Sequence, residues 1–432
     1  MTQFASSNDS ADPGRVVSAG VMLFLLIHLV CQRLVPIDFN VYWQGGSDVL
    51  RRTGALYAPR PALPFTYPPF AGLVFAPEAL LRPTSSAVLM ELLSCVATAY
   101  LASRVIDLAP RRFAHIRNSH PWCFLVLGTA LMCGLNPVWE TLAKGQINLI
   151  LAAVCLFALT TDRRFTGGVL VGLCGGIKLT PLALGLVALR QRDWRFILGM
   201  GCGFAGSIAA GLLLLPVESR LYWGRLAWDP ARTGEVSFAA NTSLNAVIRR
   251  LAQMISPASD GSGTATTIAW GAAVTITVIA GFLALPRDRA RPTASLGVGA
   301  AVMLLISPVS WNHHWVWIPF IAMWASTVIR SRAIRWLLGI LTLPIVTVGP
   351  LLICRAFGAD AHDPQSLVVW WVSSTIPLAV FAILLSDAVR AVRERALPPS
   401  PSVPDSYPPR SDLKGFVCPS EPARGAGRAV MA

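Results

Sequence analysis

Apolar residues run along this chain in blocks of up to roughly twenty, about the length needed to cross a bilayer core, separated by short polar stretches rich in arginine. The first block, Val16 to Val35, has Arg15 before it and lacks a small-residue cleavage site, so it reads as a retained helix that also serves as the targeting signal. Later blocks predict spans at Thr84–Leu108, Pro121–Leu135, Ile147–Leu159, Phe196–Leu215 and Thr264–Leu285. Another span ends at Ser307-Pro308, and Trp336–Cys354 reads as one further crossing. Between Asn40 and Arg82 the apolar stretch Phe70–Leu81 is too short to cross, so this segment reads as one or two juxtamembrane helices on the membrane surface. The block Thr166–Leu189 is interrupted by Lys178 and Pro181. Both of its ends are arginine-rich, so it predicts two short helices meeting at Lys178-Leu179-Thr180-Pro181.

Charge gives these spans a direction, because basic loops stay on the cytoplasmic side. Arg111/Arg112/Arg117, Arg163-Arg164, Arg190/Arg192/Arg195, Arg287/Arg289/Arg291, Arg330/Arg332/Arg335 and Arg390/Arg393/Arg395 mark successive cytoplasmic turns. About twelve crossings result, with both termini inside. The predicted organisation is a disordered cytoplasmic stretch over 1–15, an all-α polytopic transmembrane domain over 16–390, and a disordered cytoplasmic tail over 391–432. Two large outer loops cover 36–83 and 216–263, and Asn136–Gln146 reads as a shorter outer loop.

Composition agrees with this pattern: of 432 residues, 54% are hydrophobic and 13% charged, too apolar for a soluble globular chain. The net charge of +14 is spread over the turns between spans, as topology signals rather than as a nucleic-acid-binding domain. The 9 cysteines form no Cys-x-x-Cys pair and no Cys/His cluster, so no metal site, cofactor or disulfide framework is expected.

This topology brings the unusual polar clusters to one face of the membrane. They are Asp38, Tyr67-Pro68-Pro69, Lys144-Gly145-Gln146-Ile147-Asn148, Lys178, Asn241-Thr242-Ser243-Leu244-Asn245 and Asn312-His313-His314. Ionisable groups at membrane depth are costly unless they line a polar cavity, so an outward-facing pocket is expected. Each cluster also has an ordinary reading. Asp38 could cap the helix that follows it. Lys178 could extend its stem to the interface, and the histidines could belong to an aromatic belt with Trp311, Trp315 and Trp317. Gln146 and Asn148 could join neighbouring helices. As one site, the groups suit sugar transfer from a lipid phosphate. Asp38 would deprotonate an acceptor hydroxyl. Lys178, Lys144, His313 and His314 would neutralise the leaving phosphate. Tyr42, Tyr67, Gln146, Asn148, Asn241, Asn245 and Trp311 would contact sugar or acceptor. No Asp-x-Asp motif occurs, which argues against a nucleotide-sugar donor held through a divalent metal.

The order Asp38-x-x-Val41-Tyr42, Leu63-Pro64-Phe65-Thr66-Tyr67-Pro68-Pro69, Lys144 to Asn148, Gly175 to Pro181 and Ser307 to Trp315 resembles glycosyltransferase family 87. The resemblance covers roughly Pro36 to Trp317. It implies a GT-C type helical bundle in the plasma membrane with an extracytoplasmic active site. It also implies inverting transfer of mannose from polyprenol-phosphate mannose to phosphatidylinositol mannoside or lipomannan in cell-envelope biosynthesis, in an α-(1→2) linkage. The family's catalytic acid falls on Asp38, its lysine on Lys178 and its paired histidines on His313 and His314. Some members have a second acid where this chain has Asn40, which leaves Asp38 as the base. The family also includes arabinofuranosyltransferases that use a polyprenol-phosphate pentose. Outside enzymes, a lipid-carrier transporter would also need many helices and intramembrane charge, but with its polar groups near the midplane.

Overall fold

The computed structural model describes residues 12–31, 35–60, 63–109, 118–257 and 261–396. The turn holding Arg111, Arg112 and Arg117, residues 1–11 and the tail from 397 lie outside the described residues. One compact unit runs to Val392; of the second, Arg393–Ala432, only residues 393–396 are described.

The described chain is helical. α1 (Pro13–Cys31) is followed by α2 (Ile37–Leu50), α3 (Pro69–Phe75) with a 3₁₀ turn at Ala76–Leu80, and α4 (Pro83–Asp107). Next come α5 (Pro121–Cys133), α6 (Asn136–Lys144), α7 (Asn148–Thr160), α8 (Arg164–Ile177), a 3₁₀ turn at Thr180–Leu184 and α9 (Gly185–Arg190). α10 (Trp194–Leu214), α11 (Pro216–Gly224), α12 (Leu244–Ile255), α13 (Thr264–Ala284) and α14 (Pro292–Ile306) follow. A 3₁₀ segment at Asn312–Trp317 leads into α15 (Ile318–Val328), then α16 (Arg332–Thr347), α17 (Pro350–Ala356) and α18 (Leu367–Ala396).

Four helices, α4, α10, α13 and α18, are long and apolar enough to cross a membrane, and two bent pairs raise the number to six. Leu213, Ile268 and Ile340 point outward from α10, α13 and α16. Large apolar side chains turned away from the protein in this way suit lipid rather than water. The chain is therefore a helical membrane protein. The helices α7, α8 and α14, with 13, 14 and 15 residues, are too short to span about 30 Å of hydrocarbon at 1.5 Å per residue.

Two expectations need correction. Asn136–Gln146 is largely helix α6, turned 77° from α5, rather than a loop. Trp336–Cys354 is broken, with α17 turned 94° from α16. Gly349, at φ +95°, makes that second turn, a conformation open mainly to glycine, and Pro350 starts the new helix. Asn136 ties the two breaks together: its Nδ2 donates to the Val348 carbonyl at 3.0 Å, and its Oδ1 accepts from Asn312 Nδ2 at 2.6 Å.

The helix pair α8/α10 places the break at Lys178. Gly168 and Gly172 of α8 face α10 across a seam so narrow that a Cβ on Gly172 would lie 2.2 Å from the Met200 carbonyl oxygen. Small residues four apart allow this backbone approach. Gly201, next to Met200 on α10, has nothing within 4 Å of a Cβ. Gly172→Leu is therefore expected to destabilise the protein by about 3 kcal/mol, the upper part of the overpacking range, whereas Gly201→Leu leaves it stable. Thermal unfolding of the two variants in detergent checks this, and equal melting temperatures would refute the tight seam.

Candidate active site

Asp38 sits in the first turn of α2, which begins after Pro36, and its side chain makes no capping bond. The capping reading therefore fails. Its Oδ2 instead accepts a hydrogen bond from Gln146 Nε2 at 2.9 Å, across 108 residues of sequence. Tyr42, one turn further along α2, donates to Gln146 Oε1 at 2.6 Å. Tyr67 donates to the same oxygen at 3.4 Å, and its hydroxyl lies 2.9 Å from that of Tyr42. With a tyrosine donating to the amide oxygen, the amide nitrogen is left to donate to the carboxylate, which fixes the orientation of Gln146.

Gly145 makes this junction possible. It closes α6 at φ +67°, the left-handed position favoured by glycine, and Gln146 N donates back to Thr141 O at 2.9 Å. A Cβ at Gly145 would lie 2.7 Å from Phe39 Cβ. Any other residue there would push α2, and Asp38 with it, away from Gln146.

Lys178 lies where α8 stops. Pro181, three residues on, has no N–H to continue a helix, and Lys178 itself is extended at φ −146° and ψ 121°. Its Nζ is 2.8 Å from Asn148 Oδ1 and 2.9 Å from His314 Nε2. This bonding is at odds with the ordinary reading of Lys178 as a side chain running free to the interface. When Lys178 is an ammonium, which only donates, the acceptor is His314 Nε2 and the ring proton sits on Nδ1. Asn148 Nδ2 and Thr141 Oγ1 each donate to the His313 carbonyl at 3.0 Å, locking the histidine segment onto α6 and α7. A small cavity beside these groups is lined by Asn148, Lys178, Thr180, Ser310, His314 and Trp317, among others. Asp38 is not part of its lining. The two halves meet at Tyr67, whose ring centre lies 5.8 Å from Lys178 Nζ and whose hydroxyl belongs to the Asp38 group.

Burial raises the pKa of Asp38 above the ordinary aspartate value. The Gln146 hydrogen bond and the charges of Lys144 and Lys178 oppose this rise, and Glu140 adds to it. The carboxyl remains shifted toward the neutral form.

The remaining expected residues divide into two groups. Lys144 forms an ion pair with Glu140 at 3.3 Å, and His313 Nδ1 lies 3.9 Å from the same carboxylate oxygen. Asn241 and Asn245 are buried and spent on backbone. Asn241 Nδ2 donates to Val236 O at 2.8 Å, its Oδ1 accepts from Ser310 N at 3.0 Å, and Asn245 Nδ2 donates to Pro308 O at 3.1 Å. With an isolated antiparallel bridge from Asn241 to Trp311, they fasten the chain before α12 to the segment carrying the histidines. Trp311 packs edge-on to Phe238, with ring centres 6.3 Å apart.

Two residues escaped the sequence reading, Glu140 and Asn136. The four-residue spacing of Glu140 and Lys144 on one helical face would have pointed to the first, had that stretch been read as a helix. His313 is 5% exposed, and neither of its ring nitrogens has a hydrogen-bond partner. Each buried polar group left so costs roughly 1–3 kcal/mol. Among the described residues, no three His, Cys, Asp or Glu side chains are placed to share a metal ion.

Comparison with known proteins identifies the family. The model of glycosyltransferase family 87 matches residues 65–308, a stretch that includes Tyr67, Gln146, Asn148 and Lys178. The polyprenol-phosphate-mannose-dependent alpha-(1-2)-phosphatidylinositol pentamannoside mannosyltransferase of Mycolicibacterium smegmatis is 32% identical over 79% of this chain and 84% of its own length. A protein of the same name from Mycobacterium tuberculosis is 30% identical over 81% of this chain and 83% of its own. The polyprenol-phosphate-mannose-dependent alpha-(1-2)-phosphatidylinositol mannoside mannosyltransferase of M. smegmatis is 30% identical over 69% and 71%. No solved structure matches the chain. The chain is a membrane-embedded glycosyltransferase and belongs to glycosyltransferase family 87.

Proposed function

We propose that this enzyme transfers mannose from polyprenol-phosphate mannose to a mannosylated phosphatidylinositol or lipomannan acceptor, in an α-(1→2) linkage with inversion at the anomeric carbon. The relatives' names supply the donor and acceptor classes. The observation that carries the chemistry is the single polar network in which Gln146 and Tyr67 stand between the Asp38 carboxylate and the Lys178 ammonium.

Inverting transfer needs three events at one centre. An acceptor hydroxyl oxygen bonds to the anomeric carbon, the bond from that carbon to the phosphate oxygen breaks, and the hydroxyl proton leaves. Asp38 takes the proton as general base. Polyprenyl phosphate departs with its charge met by Lys178, with His314 beside it. Because phosphate is already a good leaving group, no acid is needed on that side, which fits the Asp38 carboxylate at the acceptor end and the Lys178 cation at the other. Tyr42, Tyr67, Gln146 and Asn148 hold these two groups in position. Asn241, Asn245 and Trp311 support the reaction by fixing the histidine segment.

The catalytic domain is taken as 16–390, a GT-C type bundle whose long helices cross the membrane and whose short helices around Lys178 enter it without either crossing it alone. The arginine-rich turns support a site on the extracytoplasmic face of the plasma membrane, with the acceptor entering through the outer loops 36–83 and 216–263. Detergent-purified protein given labelled polyprenol-phosphate mannose and phosphatidylinositol mannoside is expected to extend the acceptor by one α-(1→2)-linked mannose. Turnover only with the polyprenol-phosphate arabinose donor, or movement of substrate across vesicles without a new glycosidic bond, would overturn the reading.

A further inference from the structure

We propose that Glu140, His313 and Lys144 form a sugar-hydroxyl subsite beside the base, distinct from the phosphate-facing group of Lys178 and His314. This inference rests on the mannosyl-transfer reading above and assigns Lys144 and His313 a different task from phosphate binding.

Three observations carry it. First, Lys144 is already paired: Glu140 Oε2 holds its Nζ at 3.3 Å, so the pair presents no net positive charge to a phosphate. Second, the His313 ring is buried with both nitrogens unpartnered, although its backbone is fixed by Thr141 and Asn148. A neutral imidazole offers one donor and one acceptor on different sides of the ring, so each nitrogen needs its own partner, and Nδ1 is the one that faces Glu140. Third, His313 Nδ1 stands 3.9 Å from the same Glu140 oxygen, too far for a direct hydrogen bond. An oxygen admitted between them would lie about 2.8 Å from both atoms, subtending close to a right angle, and because Nδ1 is fully buried the Glu140 side chain must swing aside to admit it. A hydroxyl there donates to the carboxylate and accepts from the ring, or from Lys144. A phosphate oxygen can only accept, and it would face Glu140.

The location gives the subsite its purpose. Glu140 and Lys144 lie on α6, which leads through Gly145 directly into Gln146, the residue that bonds the Asp38 carboxylate at 2.9 Å. Whatever hydroxyl they hold therefore neighbours the reacting oxygen. It belongs either to the acceptor mannose or to the mannose of the donor, and the chemistry of recognition is the same.

The test is a hydroxyl-by-residue cycle. Wild-type turnover with intact substrates is measured first; its absence would refute mannosyl transfer itself and leave the subsite out of consideration. Monodeoxy analogues of the acceptor's terminal mannose and of the donor mannose are then compared with the parent substrates in wild type and in Glu140→Gln. One analogue is expected to lose at least about tenfold in kcat/KM with wild type, the scale of a hydrogen bond to a charged group. In Glu140→Gln the parent substrate falls by a similar factor, while that same analogue loses little more. The analogue that behaves so identifies the source as donor or acceptor. A merely structural glutamate would lower all substrates together. If every analogue keeps the same relative penalty in wild type and variant, Glu140 holds only water and the subsite is refuted. His313→Gln carries the same cycle should Glu140→Gln not fold, with the same outcomes.

Discussion

Asp38→Asn is expected to lower kcat for mannosyl transfer by at least about 10²-fold, the lower end of what a positioned general base contributes, with folding and donor binding intact. The substitution keeps the shape of the side chain, and its remaining oxygen can still accept the Gln146 bond that the carboxylate accepts at 2.9 Å. What it removes is the lone pair that takes the acceptor proton. Wild type should also show the base in its pH profile. Burial raises the Asp38 pKa, so the carboxyl is protonated and inactive at the acid end and becomes active as pH rises through that raised value. The acid limb of kcat/KM should therefore lie above the ordinary aspartate pKa of about 3.9. A base shifted in this direction is stronger, and it lies nearer the pH at which it works. Full turnover by Asp38→Asn in purified protein would remove Asp38 from the reaction.

How far the sequence revealed this site depended on how local each signal was. The break at Lys178 was legible because a lysine and a proline interrupt a glycine-rich apolar run, and α8 does end at Ile177. The helices of the first outer loop were legible for a similar reason, since Phe70–Leu81 was too short to cross and lies in α3 and its 3₁₀ turn. Helix α6 was not. Over nine residues its polar face and the opening Asn136-Pro137 look like a turn, and what makes it a helix is packing against the histidine segment, including Thr141 on the His313 carbonyl. The break before Pro350 had a visible Gly349-Pro350 signal, but the run length of Trp336–Cys354 outweighed it. The pairing of Asp38 with Gln146 was beyond pattern reading altogether, because it joins helix ends 108 residues apart. Asn241 and Asn245 have the chemistry of sugar-binding residues, but burial commits it to the backbone of residues 308 and 310.

Lys178→Ala should raise the apparent KM for polyprenol-phosphate mannose and cost about 10- to 100-fold in kcat/KM, as expected for losing one charge-assisted hydrogen bond worth roughly 1.5–3 kcal/mol. The loss should be larger than for a surface lysine because Nζ is held between Asn148 and His314 at 2.8 and 2.9 Å, leaving the cation fixed in advance of the phosphate. A loss in kcat/KM alone could also come from disturbed packing, since Asn148 and His314 would each lose a partner. The pH profile separates the two causes. The Lys178 charge is among those that pull the Asp38 pKa down, so its removal should move the acid limb to higher pH. Lys178→Arg keeps the charge, so it should leave that limb nearly in place while still impairing donor binding, because a planar guanidinium does not fit the two partners as an ammonium does. An acid limb unmoved in Lys178→Ala, together with an unchanged donor KM, would mean that the lysine and the aspartate do not act on the same substrate. The polar network joining them would then be part of the scaffold rather than of the reaction.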